Sequence, residues 1–403
     1  MSHQLIDSIP VWGTPLPDAV AQMKNCLRPG AKAALMADHH LGYAVPVGGV
    51  IAYPDHISPS AVGFDIGCGN TAWKLSLSYP EIKDVLPSVM DEIVRRISFG
   101  VGRKNPNPVE HPIFDDPLWS ELPMLGDLKD MARAQLGTVG SGNHYVDLFR
   151  GEDGHVWIGV HFGSRGLGHK IASHFIKAGG GKDGVNVDPV LLYVDSDLGV
   201  QYEKAMELAG EYARVGRFEV CLEVTRVIRE TLLRTPPIFV SDMVENHHNF
   251  SWRETHRGVE YCVARKGATP AFPGQRGFVG ATMAEPAAII RGLNTEENKL
   301  GLYSAVHGAG RVLSRTAAAG KSKWIKGVKT RVSEGCVPQS ELESSVNQAN
   351  VVLRGAGVDE APRCYKRLDE VLEAHSGTFE VLEQLVPIGV AMAGANEIDP
   401  YKD

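Results

Sequence analysis

Five short segments of this chain share one design, in which an apolar stretch delivers a polar or metal-competent side chain directly into a turn. They are Gly63-Phe64-Asp65-Ile66-Gly67-Cys68-Gly69-Asn70, Gly140-Ser141-Gly142-Asn143-His144-Tyr145, His161-Phe162-Gly163-Ser164-Arg165-Gly166, Asn246-His247-His248-Asn249 and Val306-His307-Gly308-Ala309-Gly310-Arg311. All but the fourth are rich in glycine. Glycine lets backbone approach a ligand closely and exposes consecutive N–H groups, so histidine beside glycine suits a metal next to a phosphate. A lone glycine-flanked histidine is ordinarily a turn or core residue. Five such segments in one chain point to a shared site.

Within Asp65-Ile66-Gly67-Cys68, a spacing of three across a turn can bring a carboxylate and a thiolate to one point, which suits a bridging thiolate with a carboxylate on one of two metals. One Cys, one Asp and three His mix soft and borderline ligands, and ligand type alone permits zinc, iron, cobalt or manganese. Cys26, Cys221, Cys262, Cys336 and Cys364 lack such company and read as small hydrophobes. With no Cys-x-x-Cys pair, neither a disulfide framework nor a zinc ribbon is expected. In an extended Asn246–Asn249, neighbouring side chains point to opposite faces, so His247 and His248 cannot both meet one site. The same holds for His39 and His40. His3, His56, His111, His155, His169, His174, His256 and His375 read as ordinary histidines.

The 403 residues allow one large domain or two to three small ones. Gly179–Gly184 is the softest stretch, and residues 179–187 read as a surface loop or insertion, so one domain over 1–403 is expected. Helical patterns run over Asp18–Leu27, Pro87–Ile97 and Leu198–Leu233, the last open to a break at Gly210 or Gly216. Strand patterns run over Val156–His161, Ile238–Val244, Val259–Ala264 and Leu302–His307. Strands and helices intermix without a regular βαβ rhythm, which predicts an α+β fold. Apolar runs are too short to span a membrane, and no secretory signal is visible, so a cytoplasmic location is expected.

The net charge of −7 predicts no general affinity for nucleic acid, so any such binding must be local. Arg311, Arg315, Lys321, Lys323, Lys326, Lys329 and Arg331 form a run without an acidic residue. Such a run reads equally as a solvated face or as a site for polyphosphate or an RNA backbone.

Taken together, these motifs resemble the RtcB family of GTP-dependent RNA ligases, from about Asp38 to Tyr365. The residues that carry the resemblance are Asp38-His39-His40-Leu41-Gly42, Asp65-Ile66-Gly67-Cys68-Gly69, Gly142-Asn143-His144, His161 with Gly163-Ser164-Arg165-Gly166, His248-Asn249, Arg265-Lys266-Gly267-Ala268 and His307-Gly308-Ala309-Gly310-Arg311. The resemblance implies a single large α+β domain with central mixed or antiparallel sheets flanked by helices. It implies two manganese ions held by Asp65, Cys68, His144, His161 and His248, with Cys68 bridging. His307 would be the nucleophile that takes GMP from GTP, GMP would pass to an RNA 3′-phosphate, and a 5′-hydroxyl would displace it. A 2′,3′-cyclic phosphate end would first be opened. Arg165 and Arg311 match phosphate- or RNA-binding arginines. Asn143, Asp147, Asn249, Gly280, Thr282, Met283, Gly308, Ala309, Gly310 and Tyr365 fall at nucleotide contacts. An archease-type activator belongs among the candidate partners, and a monomer is expected.

The chain also departs from the family. Gly280-Ala281-Thr282-Met283-Ala284-Glu285-Pro286-Ala287 stands where members commonly have Pro-Gly-Ser-Met-Gly-Ala-Lys-Ser. Members usually end in Lys-Gly, the lysine contacting guanine, whereas this chain reads Val390-Ala391-Met392-Ala393-Gly394 and continues as a tail over 395–403. Tyr145 and Asp147 replace a family Phe and Glu. Asp399 or Asp403 is a candidate substitute for the guanine contact. Two rival functions share these residues: a two-metal phosphate-ester hydrolase with a decayed nucleotide pocket, and a non-catalytic RNA-binding relative.

Overall fold

The computed structural model describes residues 3–233, 237–325, 328–395 and 397, with side chains left undescribed over 322–331. Two sheets dominate. The six-stranded sheet runs in the order His3–Ile6, Ile9–Trp12, Lys32–His40, Val47–Tyr53, Val259–Lys266, Asn249–His256. The eight-stranded sheet runs Val240–His247, Gly69–Ser78, His155–Phe162, Tyr145–Arg150, Phe379–Gly394, Ala287–Gly292, Arg276–Val279, with Val352–Ala356 laid parallel on Phe379–Gly394. Most pairings are antiparallel, and Ile9–Trp12 on Lys32–His40 is parallel. The fold is therefore α+β with mixed sheets.

His155–Phe162 is buried at seven consecutive positions after its first, and Tyr145–Arg150 at five of six, because helices cover the face that would otherwise meet water. One cover is Leu86–Arg96, which buries Leu86, Val89, Met90 and Ile93 at helical spacing. Another is the helix Asp197–Thr231, capped by the Ser196 side chain accepting from Gly199 N–H at 3.1 Å. Burying each Leu, Ile or Val along these faces contributes roughly 1.5–3 kcal/mol before entropy is counted. Pro17–Cys26 begins with proline and buries Ala19, Val20, Met23 and Cys26 beside Lys32–His40.

The long helix is broken at neither glycine: it continues for 35 residues through Gly210 and Gly216. Gly210 serves close approach instead of termination. A Cβ there would stand 2.5 Å from Phe250 Cε2, and the turn carrying Gly67 lies against Gly210 Cα. No described helix is long and apolar enough to cross a membrane.

Candidate active site

Strand ends from both sheets meet over one cavity of about 720 Å³. Cys68 immediately precedes Gly69–Ser78, His144 immediately precedes Tyr145–Arg150, and His161 is the penultimate residue of His155–Phe162. His248 is the single residue between Val240–His247 of the eight-stranded sheet and Asn249–His256 of the six-stranded sheet. Its N–H donates to Cys68 O at 2.8 Å and its carbonyl accepts from Ala268 N–H at 3.2 Å, which ties the crossing point to the Cys68 turn and to the short strand Ala268–Pro270. His307 follows the short strand Ser304–Val306.

Asp65, Cys68, His144, His161 and His248 all line this cavity, and their donor atoms fall into two triads. In Cys68, His161 and His248 the candidate atoms lie within 4.8 Å of one another, as they do in Asp65, Cys68 and His144. Cys68 Sγ, common to both, is 3.7 Å from His144 Nε2 and 3.6 Å from His161 Nε2, and His144 Nε2 is 2.9 Å from Asp65 Oδ2. Nδ1 of His144 and of His248 is buried without a hydrogen-bond partner among the described residues, so protein alone does not satisfy these rings. A thiolate flanked by imidazoles and one carboxylate fits two divalent cations sharing a sulfur.

The electrostatics agree with that chemistry. Burial holds His161 and His248 well below the usual histidine range, helped by neighbouring imidazoles, so both are neutral donors. Burial, reinforced by Asp65, pushes the Cys68 thiol well up. A thiol kept protonated in this way releases its proton when a divalent ion takes its place. Burial alone would raise the Asp65 carboxyl, but the adjacent His144 overcomes this and keeps it low. His161 Nδ1 lies 2.8 Å from Asn70 Oδ1, which also accepts from Tyr145 O–H at 3.3 Å, and the Tyr145 ring stacks on His161 at 5.2 Å. Gly163 has no room for a side chain, since a Cβ would stand 2.2 Å from Asp65 Oδ1.

His307 stands beside this cluster, its ring centroid 5.0 Å from that of His248. Its Nδ1 is 2.6 Å from Asp38 Oδ2, and the same oxygen accepts from the His307 and Gly308 N–H groups at 3.0 and 3.3 Å. Asp38 is fully buried. Burial opposes its charge, yet the His307 ring and N–H hold the carboxyl below its ordinary range. The carboxylate therefore fixes a proton on Nδ1 and leaves Nε2 as the basic nitrogen.

The remaining sequence-selected residues Asn143, Asp147, Asn249, Gly280, Thr282, Met283, Gly308, Ala309, Gly310, Arg311 and Tyr365 line the same cavity. Arg165 is not among the lining residues; its guanidinium donates to Gly100 O at 3.1 Å and to Thr138 Oγ1 at 3.4 Å. Asn249 Oδ1 accepts from Gly267 N–H at 2.8 Å. Arg311 donates to Tyr365 Oη at 2.8 Å and to Asp359 O at 2.7 Å, and pairs with Glu360, which also accepts from the Tyr365 hydroxyl. Arg315 pairs with Glu360 at 2.8 Å. These two arginines thus turn toward the cavity, while Lys323, Lys326, Lys329 and Arg331 of the basic run, and Asp399 and Asp403 of the tail, lie outside the described side chains.

The departures cluster on one wall. Met392 and Val390 stand opposite Tyr145 and Asp147 in the pairing of Phe379–Gly394 with Tyr145–Arg150, and with Met283 they present an apolar surface. Burial pushes the Asp147 carboxyl well up against one backbone N–H from Ala391, and its Oδ1 has no partner among the described residues.

The paired histidines divide as parity requires. His40 lines the cavity, whereas His39 is buried away from it, its Nε2 accepting from Leu16 N–H at 3.0 Å and its Nδ1 donating to Met36 O at 2.6 Å. Sequence reasoning assigns no role to Asp38 or to Asn70. Both stand in motifs quoted for other residues, and their contacts are long-range: Asp38 is 269 positions from the histidine it holds.

The comparisons with known proteins agree with this geometry. The family model described as tRNA-splicing ligase RtcB matches residues 19–121 and 119–393. The chain is 30% identical over 377 residues to the RNA-splicing ligase RtcB of Escherichia coli K12, covering 87% of this chain and 88% of that protein. It is 28% identical to the tRNA-splicing ligase RtcB of Archaeoglobus fulgidus, covering 93% of this chain and 91% of the relative. The corresponding protein of Thermococcus kodakarensis is 28% identical, with 89% and 86% covered. A match of this extent, over a chain whose strand ends gather the family's motifs around one cavity, makes this protein a member of the RtcB family.

Proposed function

We propose that this chain is an RNA ligase that joins an RNA 3′-phosphate, or a 2′,3′-cyclic phosphate after opening, to a 5′-hydroxyl end through a GMP-modified His307. The observation that carries the reading is the pairing of His307 Nδ1 with the buried Asp38 beside a cluster of metal-competent side chains. With Nδ1–H held by the carboxylate, Nε2 carries the lone pair that attacks the α-phosphorus of GTP. A P–N bond forms, the α–β phosphoanhydride breaks, and pyrophosphate leaves. Asp38 then stabilises the positive charge that develops on the ring. The 3′-phosphate of RNA displaces His307 and takes up GMP, and attack by the 5′-hydroxyl seals the strand and releases GMP.

Asp65, Cys68, His144, His161 and His248 would hold two manganese ions, with Cys68 shared. When bound, such ions neutralise phosphate oxygens and act as Lewis acids. Arg311 presents a planar donor fork to phosphate, in exchange for Glu360, and Arg165 is assigned to the RNA or phosphate path. Gly308, Ala309 and Gly310 line the same space. Asn143, Asn249, Gly280, Thr282, Met283 and Tyr365 are assigned to the nucleotide, with Asp147 at its base. The protein is read as cytoplasmic and monomeric, with archease-type activation among its candidate controls.

Intact mass after incubation with GTP and manganese tests the reading. The wild type gains one GMP, and His307→Ala gains none while keeping its metal content. A normal yield of adduct on His307→Ala, mapped to a lysine such as Lys266, rejects the histidine mechanism.

A further inference from the structure

Arg217 occupies the middle of the helix Asp197–Thr231, on its apolar face between Ala213 and Val220, and is 1% exposed. Its guanidinium reaches the back of the candidate metal cluster. Nη1 donates to Gly67 O and to Phe162 O, each at 2.9 Å, and Nε donates to Thr71 Oγ1 at 3.1 Å. Nη2 lies 3.3 Å from His247 Nδ1, which is itself 2.9 Å from Gly67 O, so in the neutral imidazole Nδ1 either carries the proton and donates to Gly67 O or is bare and accepts from Arg217. Gly67 precedes Cys68, Phe162 follows His161, His247 precedes His248, and Thr71 follows the Asn70 that contacts His161. One side chain therefore touches the immediate neighbours of three candidate ligands that are far apart in sequence.

None of these partners is a carboxylate. A buried guanidinium without one is an expensive core residue, and an apolar side chain of similar length would fill the same space with less desolvation. Burial brings the Arg217 pKa down to about 10, with Cys68 the first of the groups opposing the shift, so the side chain remains charged at neutral pH. The carboxylates of Glu245 and Asp65, beyond hydrogen-bond reach, also oppose the shift.

We infer that Arg217 is a positioning residue, whose donor fork holds the backbone segments bearing Cys68 and His161, with the His247 ring against it, at the separation that two divalent cations sharing the Cys68 sulfur require. Three of its five N–H donors are committed to fixed acceptors on the turn before Gly69–Ser78, on that strand itself and at the end of His155–Phe162. A point charge on a flexible stem cannot span that set. The inference rests on the metal reading proposed above and extends it to a group that touches no metal.

The test uses the full chain with cobalt(II) as probe, following the near-ultraviolet thiolate-to-cobalt absorption and the dissociation constant by titration, with circular dichroism to verify folding. Arg217→Lys, which keeps the charge and loses the fork, and Arg217→Met, which loses both, are each expected to bind cobalt about 10- to 100-fold more weakly than wild type, the usual effect of losing a group that orients metal ligands. Wild-type affinity and spectrum in folded Arg217→Lys overturn the inference and assign the residue to charge alone; the same result in folded Arg217→Met overturns it altogether. If neither variant folds, Thr71→Val decides: it removes one acceptor and leaves the guanidinium in place, and unchanged cobalt affinity overturns the inference. A wild type that shows no thiolate–cobalt band overturns the metal reading first, and this inference with it.

Discussion

Replacing Asp38 by asparagine keeps the shape of the side chain and separates its two jobs, accepting from His307 and carrying charge. The amide has two orientations. With its oxygen toward His307 Nδ1, the tautomer survives, but the NH₂ group takes the place of Asp38 Oδ1, which is buried with no partner among the described residues. A buried donor without an acceptor costs roughly 1–3 kcal/mol, and a neutral bond in place of a charge-assisted one gives up about 1 kcal/mol more. With the NH₂ toward Nδ1, the ring must accept there, which moves its proton to Nε2 and removes the lone pair needed for attack. In either orientation the neutral amide cannot offset the charge that develops on the imidazole. The buried donor weighs on folding alike in ground and transition states, so the barrier carries only the lost charge compensation, about 1.5–3 kcal/mol, or about 10- to 150-fold slower formation of the GMP adduct in Asp38→Asn. Quenched time courses read by intact mass, with GTP and manganese saturating, measure the rate, and metal content should stay at the wild-type level. An adduct rate equal to wild type would show that the 2.6 Å contact has no part in activating His307.

Cys68→Ala should lose both metal equivalents, because its sulfur belongs to both triads, and elemental analysis showing both retained would reject the shared thiolate. His375 is buried, accepts at Nε2 from Ala37 N–H and is held near a pKa of about 3 by burial. A histidine depressed below its unfolded value near 6.5 binds its proton more readily in the unfolded chain, so it removes stability as pH falls from about 6.5 toward 3. His375→Gln should reduce the slope of stability against pH across that window by about 1 kcal/mol per unit, and an unchanged slope in denaturant titrations between about pH 6.5 and 5 would refute the assignment. On the cavity wall proposed to hold the base, Met392 offers no donor, and competition between GTP and ATP should show selectivity about 10- to 200-fold weaker than in the E. coli relative assayed alongside. Selectivity equal to that relative's would place guanine recognition on groups other than the position of Met392.

The parts of this molecule that the sequence discloses are those whose chemistry is carried by neighbours in the chain. Cys68 stands out because Asp65 is three residues away and glycines flank it, whereas parity says only that His247 and His248 cannot share a site, and the resemblance to the family's motif is what selects His248. The strand His155–Phe162 and the helix Leu86–Arg96 announce themselves by period. Asp38 and Arg217 do not, since each gains its meaning from contacts closed only by the fold. Arg217 leaves a faint mark, a cation placed among Ala213, Val220, Cys221 and Val224 on a helix face that is otherwise apolar. Gly210 reads as a helix breaker because glycine is a poor helix former, but the governing constraint is the Phe250 ring, whose Cε2 stands 2.5 Å from where a Cβ would lie. The order of the eight-stranded sheet has no local signature at all.

That order bears on how the protein is made. Phe379–Gly394 follows every other described strand in the chain, yet it pairs with Ala287–Gly292 through its first half and with Tyr145–Arg150 and Val352–Ala356 through its second. During synthesis the edges of those partners wait unpaired until residue 394 clears the ribosome, and the pairing with Tyr145–Arg150 then closes a loop of more than two hundred residues. All five candidate metal ligands and His307 have emerged by then, but the wall bearing Val390 and Met392 has not. The nascent chain can therefore gather the candidate metal cluster well before the cavity has its last wall, and a protein truncated shortly before Phe379 would expose open strand edges of the kind that drive aggregation.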